Sequence, residues 1–371
     1  HIMQIPFVNL KKQYLDIKDE IDSTIADVIE NTAFIGGKHV ESFAANLSAL
    51  LKAQFALPVA NGTDALFISM KMLGIQSGDE VITSAHSWIS TSETISQTGA
   101  KPVFVDTNKF FCIDETLIEE NITENTKAII PVHLYGHAAN MDIIMSIASK
   151  YNLHVIEDCA QAILTKWNNS YVGLFGSTGT ISFFPGKNLG AYGDAGGIVT
   201  SDENLFLSMK RFANHGSLVK HMHEVEGINS RLDSLQAAIL NVKIKYIEQW
   251  IKQRNQAARL YEEKLKDIEE IALPQTHHLC NHTFHLYVIK TKFRDDLAAF
   301  LKDAGIDTGI HYPRALPELE CYKYLDLDLS RYPNAISDCA TILSLPIFPE
   351  ILPDEINYVA TKIREFFFKR S

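Results

Sequence analysis

Three short segments carry residue types that could do chemistry together. In Ser182-Phe183-Phe184-Pro185-Gly186-Lys187-Asn188 a lysine sits in a Gly/Pro turn directly after an apolar, strand-like run. Alone, such a lysine also suits a solvated surface turn. It does not build a nucleotide P-loop, because Asn188 follows it where that loop needs Ser or Thr, and Ile181 stands where its first glycine belongs. In Val155-Ile156-Glu157-Asp158-Cys159-Ala160-Gln161 a carboxylate, Asp158, closes a buried strand. Such a group needs a cation or several donors nearby, or serves as a helix N-cap. In Ala60-Asn61-Gly62-Thr63-Asp64 the chain leaves a strand and enters a helix. Gly62 and Thr63 there offer unpaired N–H groups and a hydroxyl, suited to a phosphate or simply to capping the helix. A phosphate cradle, a strand-end aspartate and a turn lysine, in that order, are the parts a pyridoxal phosphate site needs. The lysine forms a Schiff base, the carboxylate keeps the pyridine nitrogen protonated, and the cradle holds the phosphate.

The elements that must position these residues read as an alternation. Short apolar runs at Glu80–Thr83, Pro102–Val105, Ala128–Val132, His154–Ile156, Thr180–Phe184 and Gly197–Thr200 are separated in several places by helix-spaced segments, such as Ala65–Leu73 and Ile143–Tyr151. Continuous apolar strands alternating with helices predict an α/β fold, with a mostly parallel sheet covered on both faces. An amphipathic stretch from Tyr14 to Ile29 precedes it. From Leu232 the spacing of Leu235, Ile239, Val242 and Tyr246 predicts one long helix running on to Leu265. Beyond it lie a strand-like His285–Ile289, a helix over Asp295–Ala304, a Pro-containing loop region and a last helix from about Pro353. The expected division is a large α/β domain over residues 1–245 and a smaller α+β domain over 246–371, in keeping with 371 residues.

Composition excludes several functions. With 34 Lys plus Arg against 45 Asp plus Glu, the net charge is −11, which argues against a broad nucleic-acid surface or a polybasic membrane contact. Five scattered cysteines without a CxxC pair read as free thiols of a reducing compartment. No run approaches a membrane span, and no basic-then-apolar leader is found at the start, so a cytoplasmic protein is expected. His277, His278, Cys280, His282 and His285 cluster, but their spacing matches no common zinc pattern, so no metal is expected and structural or loop roles are assigned.

The chain resembles the DegT/StrS group of sugar aminotransferases nearly end to end. The resemblance is carried by Ile5-Pro6-Phe7-Val8-Asn9-Leu10, Phe34-Ile35-Gly36-Gly37, Asn61-Gly62-Thr63-Asp64-Ala65-Leu66 and Pro131-Val132-His133-Leu134-Tyr135-Gly136. Glu157-Asp158-Cys159-Ala160-Gln161-Ala162, Ser182 to Lys187, Asn229-Ser230-Arg231-Leu232-Asp233, His311-Tyr312-Pro313 and Leu343-Ser344-Leu345-Pro346 extend it. It implies a fold type I, aspartate aminotransferase-like architecture. It also implies pyridoxal 5'-phosphate, passing through pyridoxamine phosphate, and transfer of an amino group from L-glutamate, released as 2-oxoglutarate, to a nucleotide-linked keto sugar. The products of such enzymes serve amino-sugar synthesis, including that for lipopolysaccharide O-antigen.

By matching position, the resemblance makes Lys187 the Schiff-base lysine and proton shuttle, and pairs Asp158 with the pyridine nitrogen. Gln161 lies near the ring hydroxyl; Gly62, Thr63 and Ser182 bind the phosphate; Trp88 lies against the cofactor face. Asn229 reaches the phosphate of a neighbouring subunit, which implies a homodimer with shared sites. Arg231 reaches a substrate pyrophosphate across that interface or forms a structural salt bridge, and His311 and Tyr312 line the sugar site. Related dehydratases carry histidine at the lysine position, so Lys187 points to transfer. The segment from Asn214 to Asp233 resembles enzymes acting at C-3 of dTDP- or UDP-linked 3-keto sugars, whereas C-4 enzymes more often read Asn-Tyr-Arg where Asn229-Ser230-Arg231 stands. The alternatives are C-4 amination and a cofactor-binding regulatory or sensory homologue. Departures at His137, Ile163 and Arg314-Ala315-Leu316 fall on the substrate side.

Overall fold

The computed structural model of the chain describes residues 2–370. Its centre is a seven-stranded sheet. In chain order the strands are β1 (Phe55–Val59), β2 (Glu80–Ser84), β3 (Lys101–Val105), β4 (Thr126–Ile130), β5 (His154–Asp158), β6 (Thr178–Ser182) and β7 (Gly196–Thr200). They lie side by side as β1-β7-β6-β5-β4-β2-β3. All pairings are parallel except those of β7, which runs antiparallel to both β1 and β6. The expected mostly parallel mixed sheet is therefore present.

Side-chain alternation sends each strand's residues into two different cores. Ile82, Ile129 and Val155 join the core under Phe43, Leu47 and the helix Ser234–Lys243. Val81, Ala128, Ile130 and Ile156 pack instead with Leu66 and Met70 of the helix Gly62–Met72. This alternation decides the site. Glu157 points to the Val155 side, and Asp158 points to the Ile156 side, toward the start of the helix Gly62–Met72.

The single long helix expected from Leu232 is instead two, Ser234–Lys243 and Ile247–Leu265, joined by a 3-10 turn at Ile244–Tyr246. The turn is anchored by Lys245 and Tyr246, which both bond Glu20 of the helix Lys18–Glu30. The second helix gives Trp250 to the sheet core, then Ala257, Tyr261 and Leu265 to a second cluster. That cluster holds the strand pair Tyr287–Lys290 and Ile342–Leu345 and the helices Arg294–Asp303 and Pro353–Phe368. Ile5 also packs into it, bridging to Ile306. Phe366 and Phe367 dock the last helix, while Phe368 stays exposed. Among the described residues no helix is long and apolar enough to cross a membrane.

Candidate active site

A cavity of about 530 Å³ opens at the C-terminal ends of β5 and β6, beside the start of the helix Gly62–Met72. Nine of the predicted site residues line it: Gly62, Thr63, Trp88, Asp158, Gln161, Ser182, Lys187, His311 and Tyr312. Ligands gather at such strand ends in open α/β sheets, because the loops there are free to diverge.

Asp158 is pinned at its backbone and left short of partners at its side chain. Its N–H donates to Pro131 (2.9 Å), and its carbonyl accepts from His133 (3.1 Å). Its carboxylate receives two donors, the Thr91 hydroxyl (2.8 Å) and the Ala160 N–H (3.1 Å). Burial raises its pKa, and those two bonds, with the charge of Lys187, pull against the rise. Lys187 follows β6 in a turn closed by its own N–H to Phe184 (2.9 Å). The chain beyond is held by Asn188 to the Thr283 carbonyl (3.1 Å) and by buried Lys243 to the Gly190 carbonyl (2.7 Å). Burial lowers the Lys187 amine to about 8, with Asp158 opposing. A buried amine near neutrality can both take and give a proton at physiological pH.

The cradle is built by close approach. Asn61 caps the helix by accepting from Asp64 N–H (2.7 Å). A Cβ on Gly62 would lie 2.9 Å from the Ser182 Cβ, so only glycine lets this helix start meet the end of β6. Gly196 is confined too, because a Cβ there would lie 2.3 Å from the carbonyl carbon of Asn61. The Thr63 hydroxyl pairs with that of Ser90 (2.7 Å), which makes Ser90 a further hydroxyl on the cavity wall.

The opposite wall is aromatic and imidazole. Gln161 accepts the Tyr135 N–H (2.7 Å) and donates to the Tyr312 hydroxyl (3.1 Å). Trp88 is 57% exposed and tilts against Tyr312 with ring centroids 5.7 Å apart. His311 stacks on Phe7 and pairs through Nδ1 with the Ser344 hydroxyl (2.8 Å). Its carbonyl is held by His86 and Tyr135. Burial lowers His311 to about 4, which keeps it neutral.

The chain matches the DegT/DnrJ/EryC1/StrS aminotransferase family over residues 15–364. It belongs to that family. Among relatives, a pleiotropic regulatory protein of Geobacillus stearothermophilus is 42% identical, covering 98% of this chain and 99% of its own. A UDP-N-acetyl-3-dehydro-alpha-D-glucosamine 3-aminotransferase of Acidithiobacillus ferrooxidans is 39% identical over 97% of each chain. The solved structure of DesV from S. venezuelae, in complex with a ketimine intermediate, is similar at a TM-score of 0.95, with 36% identity and 98% coverage of both chains.

Pyridoxal phosphate is the cofactor of this aminotransferase, and the side chains present fit it. The close approach of Gly62 to Ser182, which leaves no space for a Cβ, brings the helix start and the Ser182 hydroxyl together on the cavity wall. Asp158 is a buried carboxylate with only two donors, and the Lys187 side-chain amine makes no hydrogen bond among the described residues. Asn229 and Arg231 do not line the cavity of their own chain. Asn229 is exposed on the loop after the hairpin Ser217–His223, bridged to Asn214, and Arg231 donates to the Asn214 side chain (3.2 Å). Ser230 between them anchors the loop, donating to Asp64 (2.6 Å) and accepting from Ala60 (3.1 Å).

Four residues of the aminotransferase site are missing from the sequence-based set. Thr91 and Ser90 follow Trp88 within one turn, so helical spacing from Trp88 would have found them. Arg254 lines the cavity from within a polar helical stretch that reads as solvated. His285 corrects the structural or loop role given to the whole histidine cluster, since it faces the cavity. The others keep structural contacts: His277 stacks on His278, and His282 stacks on Phe284.

His133, Glu157 and Cys159 lie close enough together to suggest a metal. The His133 and Glu157 atoms are otherwise engaged. Ala139 N–H donates to His133 Nδ1 (2.9 Å), so Nε2 carries the proton and donates to Glu157 (3.0 Å). All five cysteines are free.

Proposed function

We propose that this aminotransferase moves the amino group of L-glutamate to the C-3 keto carbon of a dTDP- or UDP-linked sugar. The product would feed amino-sugar and surface-glycan synthesis, such as that of O-antigen, in the cytoplasm. The observation that carries the reading is the placement of Lys187 and Asp158 in one cavity with the Gly62–Thr63 cradle. The 3-aminotransferase named among the relatives supports C-3.

Pyridoxal phosphate, when bound, supplies a carbonyl that exchanges amines and a ring that accepts the electron pair released at carbon. Each half-reaction then needs a proton removed from one carbon and returned to another. Lys187 does this, because its amine is held near pKa 8 and is fixed by the turn at Phe184. Asp158 would pair with the protonated ring nitrogen, a cation whose charge would offset the burial that raises the carboxylate's pKa. Thr91 and the Ala160 N–H keep that carboxylate aimed. The first amides of the helix Gly62–Met72, with Thr63, Ser90 and Ser182, would hold the phosphate at the positive end of the helix dipole. Trp88 would lie against the ring face, Gln161 near its hydroxyl, and His311 and Tyr312 beside the sugar, all four lining the cavity.

The deciding experiment incubates the protein with glutamate and a panel of dTDP- and UDP-linked 3-keto and 4-keto sugars, with product structure read by NMR. An amine at C-3 is expected. An amine only at C-4 overturns the regiochemistry. No transfer from a cofactor-loaded protein favours a regulatory role, as the name of the 42% identical relative suggests. Asn229 and Arg231 are assigned to the site of a partner chain in a homodimer. Mixed dimers of inactive Lys187→Ala and inactive Asn229→Ala chains are then expected to regain activity, and confirmed mixed dimers that stay inactive refute the shared site.

A further inference from the structure

Tyr135 ties together residues of the cavity wall without lining the cavity itself. It follows β4 in the turn Leu134–Gly136, is 2% exposed, and lies behind a surface to which Leu134, Gln161, His311 and Tyr312 contribute. Its backbone is left-handed, with φ 63°, which a tyrosine holds only where its surroundings fix it. Three bonds do so. His137 N–H donates to the Leu134 carbonyl (3.0 Å), Thr283 N–H to the Gly136 carbonyl (3.1 Å) and Leu286 N–H to the Tyr135 carbonyl (3.4 Å). The Tyr135 N–H is thereby aimed at Gln161 Oε1 (2.7 Å).

The Tyr135 ring packs edge-on to Phe111 and His86. Its hydroxyl donates to the carbonyl of His311. His86 Nε2 reaches the same carbonyl (3.1 Å) and lies 3.2 Å from the Tyr135 hydroxyl. His86 Nδ1 is enclosed and has no partner, so the proton sits on Nε2, where an acceptor lies. Burial lowers His86 to about 4 and pushes the Tyr135 hydroxyl well up, so both groups stay neutral donors at physiological pH.

A tyrosine that served packing alone could be phenylalanine, because burying a hydroxyl costs stability unless a partner meets it. Here the partner is the one carbonyl that joins two cavity side chains, His311 and Tyr312. Moving that peptide moves both rings. Gln161 closes the circuit, since its Nε2 donates to the Tyr312 hydroxyl (3.1 Å). Tyr135 thus fixes Gln161 through its backbone and His311–Tyr312 through its hydroxyl. Gln161 is 26 positions from Tyr135 and His311 is 176, so these bonds, not chain connectivity, set their spacing.

We infer that Tyr135 is a positioning residue for sugar selection: its hydroxyl, with His86, fixes the His311–Tyr312 peptide so that both side chains meet the acceptor sugar. This deepens the aminotransferase reading and rests on its placing of the sugar at His311 and Tyr312. The circuit holds no group assigned to the nucleotide, so it is the sugar's share of the affinity that depends on it.

The test uses the pyridoxal phosphate form of the protein, which holds no amine to transfer. It is titrated by calorimetry with UDP- and dTDP-linked 3-keto and 4-keto sugars, and with UDP and dTDP alone. The parent chain is expected to prefer a keto sugar to its bare nucleotide. In Tyr135→Phe, which keeps the ring, that preference is expected to fall about fivefold, the scale of one neutral hydrogen bond, with affinity for the bare nucleotide held. Combined with Tyr312→Phe, which opens the circuit at Gln161, the two losses are expected to fall short of additive. A merely structural tyrosine would weaken sugar-linked and bare nucleotide alike. A preference unchanged in Tyr135→Phe therefore overturns the inference, and so do losses that add in full. If Tyr135→Phe does not fold, His86→Leu, which removes the other donor to the same carbonyl, is read the same way. A parent chain that prefers no sugar-linked nucleotide overturns the sugar reading, and the inference falls with it; a parent that does, with an unchanged variant, overturns the inference alone.

Discussion

Glu157 and Asp158 are neighbours on one strand, both carboxylates and both buried, and they are built for opposite purposes. Glu157 accepts from His133 (3.0 Å) and from the backbone N–H groups of Gly173 (2.8 Å), Phe175 (2.9 Å) and Gly176 (2.9 Å). Four donors meet its charge, and nothing remains for a ligand. Asp158, one residue on and on the other face, has two donors and an open cavity. Burial alone therefore does not mark a reactive carboxylate. The count of donors does, because a charge fully met inside the protein has no reason to seek a substrate or cofactor. The same contrast recurs among cations. Lys243 has the Gly190 carbonyl and the Tyr192 ring, while Lys187 has the cavity.

Substitutions can break this contrast. Lys187→Ala is expected to cost about 10⁴-fold or more in transfer, since it removes the proton carrier itself. Borohydride reduction of the yellow protein should then label no peptide at 187, whereas the parent chain is labelled there; labelling at another lysine refutes the assignment. Asp158→Asn comes next, at about 10³-fold in rate, because an amide cannot hold a protonated ring nitrogen. Its melting temperature should stay close to that of the parent. Glu157→Gln is the counterpart: about 3 kcal/mol of stability is expected to go, because an amide NH₂ would face backbone donors. Glu157→Gln enzyme that remains folded should keep most of its rate. If urea unfolding and single-turnover kinetics reverse the two assignments, donor count is the wrong criterion. Thr91→Val is milder, about tenfold in rate, for one hydrogen bond to a charged group.

The sequence was most legible where local chemistry and strand order agree. Apolar runs located the strands, and Asp158 stood out as the carboxylate that closes His154–Asp158. Lys187 and the Gly62–Thr63 turn stood out because turns expose their residue types. Arg254 stayed hidden, since a charged residue on a polar helix reads as solvated, and its acceptors at Phe284, His285 and Ile347 are remote in sequence. The break at Ile244–Tyr246 was hidden for a related reason. Helical periodicity continues through it, and only Glu20, more than 200 positions earlier, anchors the turn. His285 was grouped with its histidine neighbours by spacing, although its place on the cavity wall comes from how the Tyr287–Lys290 strand approaches the sheet.

A pH series tests the lysine half of the comparison. Burial lowers Lys187 in the folded chain from its ordinary 10.5 to about 8. Between those values the unfolded chain holds a proton that the folded chain has released. Stability of the cofactor-free protein should therefore rise as pH climbs from about 8 to 10.5. Below 8 both states are protonated, and the cost of burying the charge is present in full. Lys187→Met carries no such charge. It should be more stable than the parent at pH 7, and the gap should close as pH rises through that window. Parallel urea curves at pH 7, 8, 9 and 10 on both proteins check this. A constant gap would mean that the amine is solvated in the folded chain, and would return Lys187 to the ordinary surface lysine that its turn alone could have been.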